Sequence, residues 1–114
     1  MIDFTTFAPS WIAPTLVNSW TNFNLGLYEV KYCKDFFGWV HLRGGLKNGS
    51  SLNATMFTLP SGYRPAQKMI FSVGGHNGAA VNIHVDSNGE VAVDGSNGFT
   101  NLVLLDNIYY YAES

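Results

Sequence analysis

The residues able to do chemistry in this chain are few and scattered. His41, His76 and His84 fall in three separate stretches, and no HExxH or CxxC spacing gathers ligands for a metal. Asp86, Asn88 and Glu90 alternate around a tight turn but lack the further oxygen ligands of a calcium loop, so they read as solvated turn residues. The sequence predicts no metal and no cofactor. Cys33 is the only cysteine, which excludes an intrachain disulfide. It alternates within a strand-like run and reads as a buried structural thiol. A Gly-x-Ser-x-Gly nucleophile elbow is absent. Glycoside hydrolysis needs two carboxylates facing one bond. Most of Asp3, Glu29, Asp35, Asp86, Glu90, Asp94, Asp106 and Glu113 instead fall at apparent turns or exposed strand positions. The chain therefore reads as non-enzymatic, with a small hydrolase kept as an alternative.

The elements that must position these residues are strands. Apolar residues alternate with polar ones at Tyr28, Val30 and Tyr32, at Val40 and Leu42, at Met69, Phe71 and Val73, and at Val81, Ile83 and Val85. A period of two places one face in a core and the other in water. His41 and Arg43 then lie opposite Val40 and Leu42, and His84 lies outward. Four Asn-Gly pairs, at 48–49, 77–78, 88–89 and 97–98, supply residues that tolerate the positive φ of tight turns. The clearest hairpin joins 81–85 to 90–93 through 86–89; a second joins 27–34 to 39–46 through 35–38. Further strands are expected at 17–23, 55–59, 68–73, 101–105 and 108–111. The prediction is an all-β, antiparallel β-sandwich of jelly-roll type with about eight strands. Trp11, Trp20, Phe23, Tyr28, Tyr32, Trp39, Phe57 and Phe71 are its candidate core aromatics.

Composition narrows the function. The chain is 46% hydrophobic and only 12% charged, too apolar for disorder and low in charge for an exposed surface. The net charge is −2 and the six Lys and Arg residues are dispersed, without the basic stripe that nucleic-acid binding needs. No apolar run reaches the ~20 residues of a membrane helix. Residues 1–4 show neither the basic nor the apolar region of a secretory signal, and the absence of disulfides fits assembly in a reducing cytosol. Asn48-Gly49-Ser50 and Asn53-Ala54-Thr55 match the glycosylation acceptor pattern but read as polar loop residues.

One stretch is more specific. Residues 39–49 read Trp-Val-His-Leu-Arg-Gly-Gly-Leu-Lys-Asn-Gly, and residues 57–65 read Phe-Thr-Leu-Pro-Ser-Gly-Tyr-Arg-Pro. Gly44 and Gly45 permit a bulge or a close backbone approach. Pro60 and Pro65 end ladder pairing on either side of a corner. Gly62 can take the left-handed conformation, Tyr63 can lay its ring on the core, and Arg64 can bridge the corner to carbonyls or a carboxylate. A strand of the form V-x-L-x-G followed by L-P-x-G-Y-R-P resembles the C-terminal head domains of tail-fibre and receptor-binding proteins from phages of Gram-positive bacteria. Trp11, the 16–20 segment and the 102–109 segment are similar to that family's first and last strands.

The resemblance implies a homotrimer at the tip of a phage tail, adhering to a host cell-wall saccharide in a virion assembled in the host cytoplasm. Residues 1–12 would be the lead-in from a stalk and residues 13–114 a single head domain. A structural trimerising cap without a ligand is the alternative from another class. Sugars are bound by an aromatic platform with a few polar groups, usually on loops of a rigid scaffold. His76 and Asn77 in one glycine-rich loop, Asn97 and Phe99 in another, and Trp39 if it points outward are the candidate saccharide contacts. Repeated shallow sites on three subunits would gain strength through multivalency.

Overall fold

Residues 39–47 alternate like one continuous strand, yet the chain changes sheet at Gly44, whose φ is +109°. Before it, β3 (Trp39–Arg43) lies between β2 (Lys31–Lys34) and β10 (Ile108–Tyr111). After it, β4 (Gly45–Lys47) lies between β1 (Thr21–Asn22) and β9 (Val103–Leu104). The third sheet has the order β5 (Thr55–Thr58), β8 (Glu90–Val93), β7 (Ala80–Val85), β6 (Met69–Gly74). The structure, a computed structural model, describes residues 10–50, 54–75, 78–94 and 102–113. Among these there is no α-helix, and the strand pairs are antiparallel.

The two larger sheets face one another as a sandwich. Tyr32, Val40, Leu42, Ile108 and Tyr110 from one layer, and Phe57, Val81, Ile83, Val85, Val91 and Val93 from the other, are buried in one core. The rings of Phe71 on β6 and Tyr110 on β10 meet between the layers, centroids 6.4 Å apart. Leu46 and Val103 extend the core under the small sheet. Each such side chain contributes roughly 1.5–3 kcal/mol of transfer free energy. In β5 a bulge between Thr55 and Phe57 breaks the alternation, so Met56 and Phe57 are both buried.

Among the described residues ten strands stand where eight or so were expected, for local reasons. The expected 39–46 strand is divided at Gly44. The expected 17–23 strand shrinks to two residues because Asn18 and Ser19 are both left-handed, with φ of 55° and 68°. Strand 27–34 begins only at Lys31, where pairing with Arg43 starts. Both predicted hairpins form. In 86–89, Asp86 and Glu90 close the turn and Gly89 takes φ +93°. The free edge of β2 is covered at one point, where Ile12 and Tyr32 exchange two backbone hydrogen bonds of 2.8 and 2.9 Å.

Of the eight expected core aromatics four belong to the core, and Trp11, Phe23, Tyr28 and Trp39 do not. Trp20, Tyr32 and Phe57 are buried, and Phe71 is partly so. Tyr28 is 65% exposed and Trp39 41% exposed. Tyr28 precedes the strand, so its apparent alternation with Val30 has no sheet behind it. Trp39 shares the outer face with His41 and Arg43, because Val40 and Leu42 take the inner one. His84 departs in the other direction. It alternates with core residues Ile83 and Val85 but is itself buried rather than in water, with the Asp86 and Asp94 carboxylates each 3.9 Å from its ring nitrogens.

The Leu-Pro-Ser-Gly-Tyr-Arg-Pro corner is held from several sides. Tyr63 donates its N–H to the Pro60 carbonyl across Gly62, which has φ +95°. The Tyr63 ring stands edge-on to Tyr32 at 5.2 Å, and its carbonyl accepts the buried Tyr110 hydroxyl at 2.6 Å. Arg64 Nε donates to the Leu59 carbonyl at 2.9 Å, while Leu59 donates its N–H to Gly89 on the β7–β8 turn. Lys34 Nζ donates to the Gly62 carbonyl at 2.8 Å and lies 5.2 Å from the Tyr63 ring centroid. Pro65 lines an open depression of about 260 Å3 with Ala66, Gln67, Met69, Tyr111 and Glu113.

Candidate functional site

The outer face of the β10-β3-β2 sheet is the most chemically distinctive described surface. Register places Tyr111 opposite Trp39, Tyr109 opposite His41, Cys33 opposite His41 on the other side, and Lys31 opposite Arg43. Alternation sends Val40, Leu42, Ile108 and Tyr110 inward, so Trp39, His41, Tyr109 and Tyr111 share the outward face. Tyr109 and Tyr111 are 57% and 51% exposed. The Trp39 ring lies 6.0 Å from Tyr109 and 5.9 Å from Tyr111, tilted at 57° and 73°. The rings make a corrugated apolar surface rather than a flat stack. Phe36 and Phe37, exposed at the β2–β3 turn, add two more rings beside it.

Polar groups frame this surface. Asp35 organises the turn, its Oδ1 accepting the backbone N–H of Phe37 at 2.9 Å and of Trp39 at 3.0 Å. Its Oδ2 meets His41 Nε2 at 3.0 Å. The His41 bond and those backbone donors hold the Asp35 carboxyl below the usual carboxylate range, against a smaller desolvation effect. The imidazole in turn stacks on Tyr109, with centroids 6.0 Å apart and planes 25° apart. Gly38, at φ +93°, makes room for Tyr111; a Cβ there would stand 3.0 Å from the tyrosine ring. Cys33, in register with His41 on the same face, is nonetheless buried, and burial followed by the nearby Asp35 charge pushes its thiol pKa up. The described residues include no cluster of three or more His, Cys, Asp or Glu able to hold a metal.

This geometry can be set beside known proteins. No protein-family model matches the chain, and no curated protein matches its sequence. Among solved structures, the receptor binding protein (gp15) of Listeria phage PSA superposes with a TM-score of 0.80 at 16% identity, over 97% of this chain and 69% of that one. The fold is that of a phage receptor binding protein. The resemblance read from residues 39–65 and the three-dimensional likeness therefore agree on the scaffold. At this identity the likeness is one of fold, and side-chain roles rest on this chain's own geometry.

On that phage fold, Trp39 is the one expected saccharide contact whose placement is described, and it stands outward among tyrosines. His76, Asn77, Asn97 and Phe99 lie outside the described residues. Gly44, Gly45, Pro60, Gly62, Tyr63, Arg64 and Pro65 lie at the sheet change and the corner set out above. Tyr109, Tyr111, Phe36 and Phe37 are not among the saccharide contacts expected from the sequence. The run Ile108-Tyr109-Tyr110-Tyr111 carried a signal, since alternation sends two of its tyrosines outward, but their pairing with Trp39 and His41 depends on long-range register. No helix among the described residues is long and apolar enough to cross a membrane.

Proposed function

We propose that this chain is a receptor-binding head domain that adheres, as a homotrimer, to a saccharide of a Gram-positive cell wall at the tip of a phage tail. In that reading residues 13–114 form the head, residues 1–12 lead in from a stalk, and the virion is assembled in the host cytoplasm. The observation that carries it is the exposed Trp39–Tyr109–Tyr111 row, on a fold shared with a phage receptor binding protein. Aromatic faces accept the apolar C–H faces of sugar rings, and the row is large for a surface with no partner. His41 and Asp35 supply donor and acceptor groups at its edge for sugar hydroxyls. Three copies engaging a repetitive polymer would turn a shallow site into firm attachment. The role needs adhesion and no bond cleavage.

Binding to purified host cell walls tests this. The wild-type chain should pellet with walls, and Trp39→Ala and Tyr109→Ala should weaken that binding by about tenfold or more, the loss of roughly 1.4 kcal/mol that an interface aromatic carries. Both side chains are exposed, so the variants should keep the wild-type fold by circular dichroism. Failure of the wild type to bind walls would favour a structural cap, and release of soluble sugar from walls would favour a hydrolase. Sedimentation equilibrium reads the trimer directly.

A further inference from the structure

The same outer face ends in a second arrangement that the aromatic row does not use. The Arg43 guanidinium is clamped between two rings, its carbon 4.1 Å from the Trp11 centroid and 4.4 Å from the Tyr28 centroid. Its Nε is enclosed, with no hydrogen-bond partner among the described residues. Among the described residues no carboxylate pairs with Arg43, and none of them accepts a hydrogen bond from its terminal nitrogens. Lys31 sits directly across the strand pair, in register with Arg43. Like charges in opposed positions repel, and here no described carboxylate offsets them.

We infer that Arg43 and Lys31 form a site for one oxyanion, a phosphate, sulfate or carboxylate group carried on a polymer. The inference rests on the adhesive reading of this face and adds that the ligand is anionic. Two rings fix the plane of the guanidinium before any ligand arrives, so little rotamer entropy remains to be lost on binding. A fixed fork recognises two oxygens of one group, and the lysine adds a point charge beside it. An arriving anion also relieves the repulsion between the two cations. Arg43 lies four residues along β3 from Trp39, about 13 Å at strand rise. One extended polymer can therefore rest a neutral ring on Trp39 and an anionic group on Arg43.

The test is an NMR titration of the isotope-labelled chain at low salt with inorganic phosphate, sodium sulfate, sodium acetate and a neutral oligosaccharide. Phosphate or another of the anions should produce saturable shifts confined to the Trp11 indole N–H and the Lys31 and Arg43 signals. Which anion saturates first identifies the oxyanion. The shifts should vanish in Arg43→Gln, weaken about tenfold in Lys31→Gln and fall steeply with added sodium chloride. Lys31→Gln keeps the Arg43 clamp intact and covers the case in which Arg43→Gln does not fold. The absence of saturable shifts with all three anions, or wild-type binding in Lys31→Gln, would overturn the site. Wall binding that depends on Trp39 would survive that result, so failure here is separable from failure of the adhesive role.

Discussion

Gly44 donates its backbone N–H to the Asp106 carboxylate at 3.0 Å, and this bond fastens together the two places where paired strands change sheet. β3 passes into β4 at Gly44, and β9 passes into β10 through residues 105–107. Leu105 completes the junction by donating its N–H to the Gly44 carbonyl at 2.8 Å. On the other side the backbone of Glu29 and Val30 presses against Gly44, so that an added Cβ would stand 2.6 Å from Val30 Cα and 2.7 Å from the Glu29 carbonyl oxygen.

Two substitutions follow from that junction. Gly44→Ala must overcome both the backbone clash and a φ of +109°, and should cost roughly 3 kcal/mol or more. Asp106→Ala leaves one N–H without its acceptor and should cost about 1–2 kcal/mol. Urea denaturation monitored by tryptophan fluorescence measures both. A Gly44→Ala protein as stable as wild type would contradict the junction.

Tyr110 is fully buried, and burial pushes its phenol far above the ordinary tyrosine pKa. Its hydroxyl is used by the Tyr63 carbonyl. Tyr110→Phe should therefore lower stability by about 1–2 kcal/mol, since the partner carbonyl loses its donor while ring packing is kept. Alkaline spectrophotometric titration should show one tyrosine that ionises only as the protein unfolds.

The Asp35 carboxyl is held below its ordinary pKa, chiefly by His41. A lowered folded-state pKa gives stability that is complete above the unfolded value, about 3.9 for an aspartate, and lost as pH falls through the folded value. The β2–β3 turn should stay ordered at neutral pH and loosen in acid. Amide signals of Phe37 and Trp39 report it, because both donate to Asp35. Asp35→Asn should abolish that acid transition; persistence of the transition would assign it to another group.

Cys33 is buried with a raised pKa, so little thiolate is available at neutral pH. Ellman's reagent should label the native chain slowly and the urea-unfolded chain within the mixing time. Rapid labelling of native protein would show that the β2 face opens readily.

Much of the scaffold was legible because its signals are local. The hairpin at 86–89 is written in an Asn-Gly pair between alternating valines, and the inward set Val40, Leu42, Val81, Ile83 and Val85 follows from a period of two. The glycine pair at 44–45 was readable as a bulge or a close backbone approach within one strand. That the chain changes sheet there was not, since it depends on Glu29, Val30 and Asp106 meeting at Gly44.

The candidate site was legible only at Trp39, as a residue opposite two inward neighbours. Tyr109 and Tyr111 lie some seventy residues further along the chain, and nothing local states which strand they join. The clamp on Arg43 needs Trp11 and Tyr28 from two other segments. By itself, then, the sequence determined the all-β class, the two hairpins and most of the inward side chains, because side-chain alternation and positive-φ turns are set by neighbours in the chain. Only the tertiary structure decided which outward residues stand side by side, because strand order and register are fixed by burying all the inward faces at once.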